Sequence, residues 1–159
     1  MHRLLINKAD TSLSTMSVAV FPGQRNNTVS MKLFMPMLYV GIGGLIGSIL
    51  RYSMTIIMRN ISSTYPLGTL ISNVAGCFLI GIVTVFSSEI PLLSFEMRLF
   101  LATGICGGFT TLSSFVYELA QFSRESQYGL ATVYFCGTFF GSALAFIAGI
   151  TAARIFYKG

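Results

Sequence analysis

Long apolar runs dominate the chain from about residue 36 onward. They cover approximately residues 38–58, 66–86, 95–122 and 128–156, while polar and charged residues collect in the connections between them. A helix of about twenty residues rises about 30 Å, which matches the hydrocarbon core of a bilayer. The pattern therefore predicts an all-α membrane protein with four transmembrane helices in one domain over residues 36–159.

Residues 1–35 lack this pattern. Basic and polar residues surround a short apolar patch at 16–21, which is too short for the apolar core of a secretory signal peptide. We predict that residues 1–35 form a poorly ordered N-terminal extension. Met31, Met35 and Met37 offer alternative start sites within or just after it.

The composition excludes several classes of function. Only 9% of residues are charged, against about 25% in a soluble domain, and one histidine with five acidic residues leaves little material for an enzyme. The ten basic residues are scattered singly, which argues against a nucleic-acid partner. The three cysteines lie about thirty residues apart without a nearby histidine, so neither a metal site nor a disulfide framework is expected.

The basic residues also bear on orientation in a cell membrane, where this multi-pass protein is expected. With four spans, both termini lie on one side, and from residue 31 onward four bases flank one face and three the other: Lys32, Arg98, Arg154 and Lys158 against Arg51, Arg59 and Arg124. Lys/Arg asymmetry normally fixes topology, and here it is almost nil. We predict insertion in both orientations, which allows two copies to pair as an antiparallel, dual-topology homodimer.

The third span contains an unusual interruption. Three glycines and four hydroxyl residues fall within Gly104–Ser114, and each glycine costs about 1 kcal/mol of helix stability relative to alanine. We predict that the backbone unwinds here. Non-helical backbone at membrane depth is tolerated only where it is buried in protein or lines a cavity, so this segment is a candidate site for a hard cation at its carbonyls or an anion at its hydroxyls.

Polar side chains within the spans are mostly hydrogen-bond donors. We single out one carboxylate, Glu118, and ten polar residues of the spans that can donate hydrogen bonds: Arg51, Thr69, Asn73, Thr110, Thr111, Ser113, Ser114, Tyr134, Thr138 and Ser142. The last three recur every four residues and therefore share one helix face. A donor-rich track, with the electropositive edges of aromatic rings, suits a small hard anion.

Several of these residues also have structural interpretations. Asn73 fits either an interhelical hydrogen bond or an ion contact, and Arg51 fits either snorkelling to the interface or attraction of anions into a vestibule. Glycines four residues apart let membrane helices approach closely. Two such pairs occur, Gly43 with Gly47 and Gly137 with Gly141, and we interpret both as helix-packing faces.

Three motifs, in order, resemble the signatures of the CrcB/Fluc family of fluoride channels. They are GGxxGxxxRY at 43–52, PLGTLxxNxxG at 66–76 and GICGGFTTLSSF at 104–115. The resemblance extends over about Met37 to Phe156. It departs from the family pattern at Leu112, where a phenylalanine is usual, and at Ser114, where a threonine is usual.

The resemblance implies passive efflux of cytoplasmic fluoride through two pores of a dual-topology homodimer, and hence fluoride resistance. It implies one structural Na⁺ at the dimer centre, held by the backbone carbonyls of Gly107 and Thr110. Pore positions carried over from the family are Thr69, Asn73, Phe115, Glu118, Tyr134, Thr138 and Ser142. The hydroxyls of Thr111, Ser113 and Ser114 join them as candidate fluoride contacts, and Arg51 is the candidate vestibule charge.

Two alternatives stay open at this stage. A small dual-topology, proton-coupled exporter would use Glu118 to exchange protons for a cationic substrate. A non-conducting chain would instead act as the partner subunit of a heterodimeric channel formed with a paralogue. The expected partners are therefore fluoride, the lipid bilayer and either an identical chain or a paralogue.

Overall fold

The structure is a computed structural model that describes residues 27–62, 64–89 and 94–158. The chain divides into two units, residues 1–33 and residues 34–159. Most of the extension predicted for residues 1–35 lies outside the described residues, and the fold below is that of the second unit. The described residues form helices and no strands: α1 (Asn27–Arg59), α2 (Leu67–Glu89), α3 (Phe95–Arg98), a π-helical segment (Leu99–Cys106), α4 (Gly107–Phe109), α5 (Leu112–Arg124) and α6 (Tyr128–Lys158).

Four stretches of the described residues are long and apolar enough to cross a membrane. They are Phe34–Arg59, Leu67–Ser87, Phe95–Arg124 and Tyr128–Tyr157. The first helix begins at Asn27, earlier than the span predicted from residue 38, and continues through Pro36. The chain is a multi-pass helical membrane protein.

Local signals set the ends of these helices. The Pro66 carbonyl accepts the Leu70 N–H at 3.2 Å, so the proline stands just before α2, where its missing N–H costs no helical bond. The Ser94 hydroxyl caps α3 by accepting the Met97 N–H. Between α5 and α6, Ser126 adopts a left-handed φ of 58°, and the Gln127 N–H returns to the Phe122 carbonyl at 2.8 Å. This turn brings α6 back alongside α5.

The third span is broken, but over a shorter stretch than the sequence predicts. The prediction places unwound backbone over Gly104–Ser114, whereas the structure keeps Gly104, Gly107 and Gly108 helical. Only Thr110 (φ −84°, ψ 154°) and Thr111 (φ −151°, ψ 116°) are extended. The prediction is therefore wrong for the glycines. The weak helix propensity of Gly104 and Gly108 is overridden by their packing against α1.

The glycines permit close contact between α1 and the first half of the broken span. A Cβ at Gly43 would lie 2.5 Å from the Phe100 carbonyl oxygen, and one at Gly108 would lie 2.6 Å from the Gly44 carbonyl oxygen. A Cβ at Gly47 would likewise clash with the Ile105 carbonyl. The packing face predicted at Gly43 and Gly47 is therefore present in the structure.

The packing of α2 against α6 depends on a different glycine pair from the one predicted. Built Cβ atoms at Gly137 and Gly141 would make ordinary contacts of 3.7 and 3.4 Å with side chains of α2. The backbones come close instead at Gly81 and Gly149, where a Cβ on Gly149 would clash with the Phe78 carbonyl. Gly137 and Gly141 are therefore not the point of closest approach, because Leu70 and Val74 stand between them and the α2 backbone.

Candidate functional site

A buried polar seam runs where α2, α5 and α6 meet, and Glu118 is one of its centres. The Thr69 hydroxyl donates to Oε1 of Glu118 at 2.7 Å, and the Tyr134 hydroxyl donates to Oε2 at 2.5 Å. Thr69 is 5% exposed and Tyr134 is fully buried. Both oxygens of the carboxylate are thus engaged by hydroxyls, one from each neighbouring helix, and the three helices are joined at this level.

The second centre of the seam is Asn73, one turn further along α2. Its Oδ1 accepts the Thr111 N–H at 2.7 Å, and its Nδ2 donates to the Thr111 carbonyl at 3.2 Å. The asparagine thereby satisfies backbone groups that the break removes from the helical pattern, as buried backbone requires. An amide has two N–H donors, and this pair of bonds uses one of them. Asn73 therefore fills the structural role foreseen for it and retains a donor.

The hydroxyls after the break form a compact network that starts α5. Thr111 is the N-cap, and its Oγ1 accepts the Ser114 N–H at 3.1 Å. The same oxygen lies 3.1 Å from Oγ of Ser113 and 3.1 Å from Oγ of Ser114. Three of the predicted site residues are therefore brought together, although Ser113 itself lies on the exposed side of the helix.

Aromatic rings enclose the Glu118 end of the seam. Phe115, Phe122 and Tyr134 form the buried core, and Tyr65 packs against it. The Phe115 and Tyr134 centroids are 5.2 Å apart, and Tyr65 meets Tyr134 edge to face at 5.6 Å. Burial raises the pKa of the Tyr65 phenol, which lies in the connection before α2. The rings pack around Tyr134, the fully buried donor to Glu118.

Two cavities adjoin the seam, one at each of its two centres. The loop cavity, about 600 Å³, contains Arg59 and Tyr65 and reaches the seam at Thr69 and Glu118. The ladder cavity, about 460 Å³, reaches it at Asn73, Thr111 and Phe115, and its other lining residues are Cys77, Thr110, Leu112, Thr138, Phe139, Ser142, Ala143 and Phe146. Thr69 and Asn73 are one helical turn apart, so the seam separates the two cavities by little more than one turn of α2.

Thr138 and Ser142 line the ladder cavity, and each has a buried hydroxyl. Both hydroxyl oxygens are inaccessible to water and have no hydrogen-bond partner among the described residues. Thr138 is only 5% exposed. A buried hydroxyl without a partner costs about 1–3 kcal/mol, so these two groups are suited to a ligand that the protein itself does not supply.

The remaining predicted residues lie away from these cavities or use their polar groups elsewhere. Arg51 lines neither cavity, and its Nε donates to the Gly108 carbonyl at 3.2 Å. The Thr110 hydroxyl donates back to the Cys106 carbonyl at 3.0 Å. The Thr111 N–H, which in a continuing helix would reach the Gly107 carbonyl, goes to Asn73 instead. The broken end thus releases the Gly107 carbonyl from its helical partner.

Some residues of this region were not among the predicted site residues. Arg59 lies at the end of α1 and lines the loop cavity, whereas the basic residue singled out from the sequence was Arg51. Phe139 lines the ladder cavity beside Thr138. A sequence signal for Phe139 existed, because it is adjacent to one hydroxyl of the four-residue repeat and three positions before the next. It was hidden by the many other phenylalanines of the same span.

The fold and the seam define a class: a four-span helical membrane protein whose third span is broken beside a cavity lined by hydroxyls. Residues 38–150 match the family described as CrcB-like protein, Camphor Resistance (CrcB). This match covers more than half of the chain, and the chain belongs to that family. The family resemblance predicted from the three motifs is confirmed.

Individual relatives agree with this assignment. The chain is 40% identical over 119 residues to the fluoride-specific ion channel FluC of Chlorobium phaeobacteroides (strain BS1), covering 75% of this chain and 93% of that protein. It is 38% identical to the protein of the same name from Prosthecochloris aestuarii, over 77% of this chain and 95% of the relative. The FluC of Leptospira interrogans serovar Lai is also 38% identical, over 76% of this chain and 95% of that protein.

Proposed function

We propose that this protein is a fluoride-selective ion channel that lets cytoplasmic fluoride leave the cell down its gradient. The observation that carries the proposal is the pair of buried, unpartnered hydroxyls of Thr138 and Ser142, two residues that line a cavity together with Asn73. The relatives named as fluoride-specific channels support the choice of ion. Three donors in one cavity can replace part of the water shell of a small anion.

The geometry suggests how the anion would pass the seam. A small anion in the ladder cavity meets the hydroxyls of Thr138 and Ser142 and the remaining N–H of Asn73. Towards the loop cavity it must pass the level of Glu118, where the hydroxyls of Thr69 and Tyr134 bind the carboxylate. Passage at this level requires the two hydroxyls to release the Glu118 carboxylate and to donate to the ion instead. Larger, more weakly hydrated chloride gains less from the same close donors, which favours fluoride.

Efflux from liposomes that contain only this purified protein tests the function. A fluoride electrode and a chloride electrode follow the two ions from matched vesicle preparations. Rapid fluoride efflux with negligible chloride efflux is the expected result. Equal efflux of both ions, or no fluoride efflux from folded protein, would contradict the proposal; proton-driven uptake of an organic cation in the same vesicles would favour the exporter.

We also propose that the working unit is an antiparallel dimer of two identical chains in opposite membrane orientations. Support comes from the nearly balanced flanking charges and from the broken span, whose Leu112 side chain is 75% exposed in the single chain. A single chain leaves the ladder cavity open on one side, and a second copy would close it. Labelling of a cysteine placed at Glu125, in a chain whose native cysteines are replaced, should occur from both sides of the membrane; labelling from one side only would contradict dual topology.

A structural Na⁺ at the centre of this dimer fits the residues of the break. The Gly107 carbonyl has lost its helical N–H partner to Asn73, and Gly107 itself is exposed in the single chain. Carbonyl oxygens are suitable ligands for a hard cation, so the carbonyls of Gly107 and Thr110 would hold the ion. When bound, Na⁺ would neutralise the negative ends of the carbonyl dipoles at the break. We expect a higher melting temperature in NaCl than in N-methylglucamine chloride; identical temperatures would contradict the site.

A further inference from the structure

The ladder cavity contains an aromatic ring on α6 whose position suggests a role in selectivity. Phe139 follows Thr138 directly and precedes Ser142 by three residues, and all three line the cavity. The ring is 58% exposed in the single chain, whereas Phe115, the other ring near the seam, is 7% exposed. Phe115 is enclosed by Tyr134 at 5.2 Å and Phe135 at 6.1 Å. Phe139 is therefore less enclosed by its own chain than Phe115, although both residues line the cavity.

The neighbours of Phe139 hold its ring in place. It lies parallel to Phe135, with an interplanar angle of 3° and a centroid distance of 5.9 Å. Phe140 contacts it at 5.3 Å and almost perpendicularly, at 88°. An aromatic ring has a negative face and a positive edge. Because Phe135 stacks alongside one face, that face is partly shielded from the cavity, and the edge is the part that can attract an anion.

The other apolar residues that line the cavity provide weaker electrostatic attraction for an anion. Leu112 and Ala143 line the same cavity, and their aliphatic groups have no comparable positive edge. Phe146 has a ring but lies a further turn beyond Ser142. At the level of the two unpartnered hydroxyls, Phe139 is thus the ring best placed to complete the surroundings of a bound anion.

Building on the proposed fluoride channel, we propose that Phe139 is a selectivity-determining residue whose ring edge contacts fluoride beside the hydroxyls of Thr138 and Ser142. The ring edge would take the place of water that the two hydroxyls cannot replace alone. The ring would also occupy space in the cavity, which leaves less room for chloride. The contact belongs to α6 and is separate from the residues at the break.

The test compares Phe139→Leu with Phe140→Leu in the liposome efflux measurement. Leucine keeps an apolar side chain but removes the ring edge, and Phe140 is a matched control because it touches Phe139 without lining the cavity. We expect Phe139→Leu to lower fluoride efflux about tenfold, the upper range for an aromatic contact, without lowering chloride efflux, so that the ratio of fluoride to chloride efflux falls. Phe140→Leu should retain efflux close to that of the unmodified chain.

Three results would separate the possible failures. If the unmodified chain conducts fluoride and Phe139→Leu conducts equally well, the role of Phe139 is refuted while the channel function stands. If the unmodified chain itself does not conduct, both proposals fail. If Phe139→Leu does not assemble, pentafluorophenylalanine at position 139 keeps the shape and reverses the charge of the ring edge; unchanged fluoride efflux with that residue would refute the proposal.

Discussion

Two groups of hydroxyls within the same membrane spans are bonded in opposite ways. Thr84, Thr132 and Thr151 are exposed, and each donates to the carbonyl four residues earlier at 2.7, 2.9 and 2.8 Å. Thr138 and Ser142 are shielded and line the ladder cavity, yet neither makes that bond or any other among the described residues. The hydroxyls of the exposed threonines are bonded within their own helix, whereas those of the two cavity-lining residues have unused donors.

This difference shows how a short hydroxyl side chain changes its role with position. The bond to the preceding turn is available to any serine or threonine in a helix. Forgoing it in an apolar setting has a cost of about 1–3 kcal/mol for each unpaired group, unless an ion or water takes its place. The contrast between donors bonded within the protein and unpartnered donors of cavity-lining residues supports the proposed path of the ion along the ladder cavity.

The Asn73 amide combines a donor bonded to the Thr111 carbonyl with a second N–H donor, so its replacement should have the largest effect. Asn73→Asp puts a negative charge beside the cavity and removes the Nδ2 donor to the Thr111 carbonyl. A carboxylate repels fluoride by about 4 kcal/mol at about 4 Å and an effective dielectric constant of about 20, so efflux should fall at least about a hundredfold. The measurement is efflux from liposomes, with gel filtration of the same sample to show that assembly is intact. Efflux within twofold of the unmodified chain would exclude Asn73 from the pathway.

The contrast also depends on the close packing of α6, which fixes where its hydroxyls point. Gly149→Ala introduces a Cβ that clashes with the Phe78 carbonyl, and overpacking of this kind costs about 1–3 kcal/mol. We expect a lower melting temperature in detergent. Gly137→Ala is the matched control on the same helix, because its Cβ would stand 3.7 Å from Leu70. Equal melting temperatures for the two variants would contradict the assigned packing.

Two arginines extend the comparison to charged groups and should give the smallest effects. Arg51 is committed to the Gly108 carbonyl, whereas Arg59 lines the loop cavity. A charge that attracts anions acts through a field that salt screens. We therefore expect Arg59→Gln to lower fluoride efflux about twofold at low ionic strength and less at high ionic strength. Any effect of Arg51→Gln should be independent of salt. A loss of efflux in Arg51→Gln that disappears at high salt would instead assign the vestibule charge to Arg51.

The four spans could be read from the sequence because hydropathy over about twenty residues is a summed property that single residues scarcely alter. The exact position of the break in the third span could not be predicted from the sequence. Glycine both weakens a helix and allows a second helix to come close, and nothing local to Gly104 or Gly108 distinguishes these effects. Close packing against the glycines of α1 keeps Gly104 and Gly108 helical. The break lies instead at Thr110 and Thr111, and Asn73 bonds the Thr111 N–H and carbonyl.

The candidate site shows the same division. The four-residue spacing of Tyr134, Thr138 and Ser142 is a local property and predicted a shared helix face. The pairing of Tyr134 and Thr69 with Glu118 depends on how α2, α5 and α6 pack together. The hydrogen bond from Arg51 to the Gly108 carbonyl depends on how α1 packs against α4. Such contacts between residues up to 57 positions apart are fixed by tertiary packing, which the spacing within one span does not encode.

The most direct test of this account is fluoride efflux through Thr138→Val compared with Thr132→Val. Both substitutions replace a hydroxyl with a methyl group on α6, one facing the cavity and the other already bonded to its own helix. A hydrogen bond to a charged partner contributes about 1.5–3 kcal/mol, so Thr138→Val should lower efflux by at least about tenfold, while Thr132→Val leaves it unchanged. Equal efflux through the two variants would contradict the claim that the unpartnered hydroxyls of the ladder cavity bind the permeating ion.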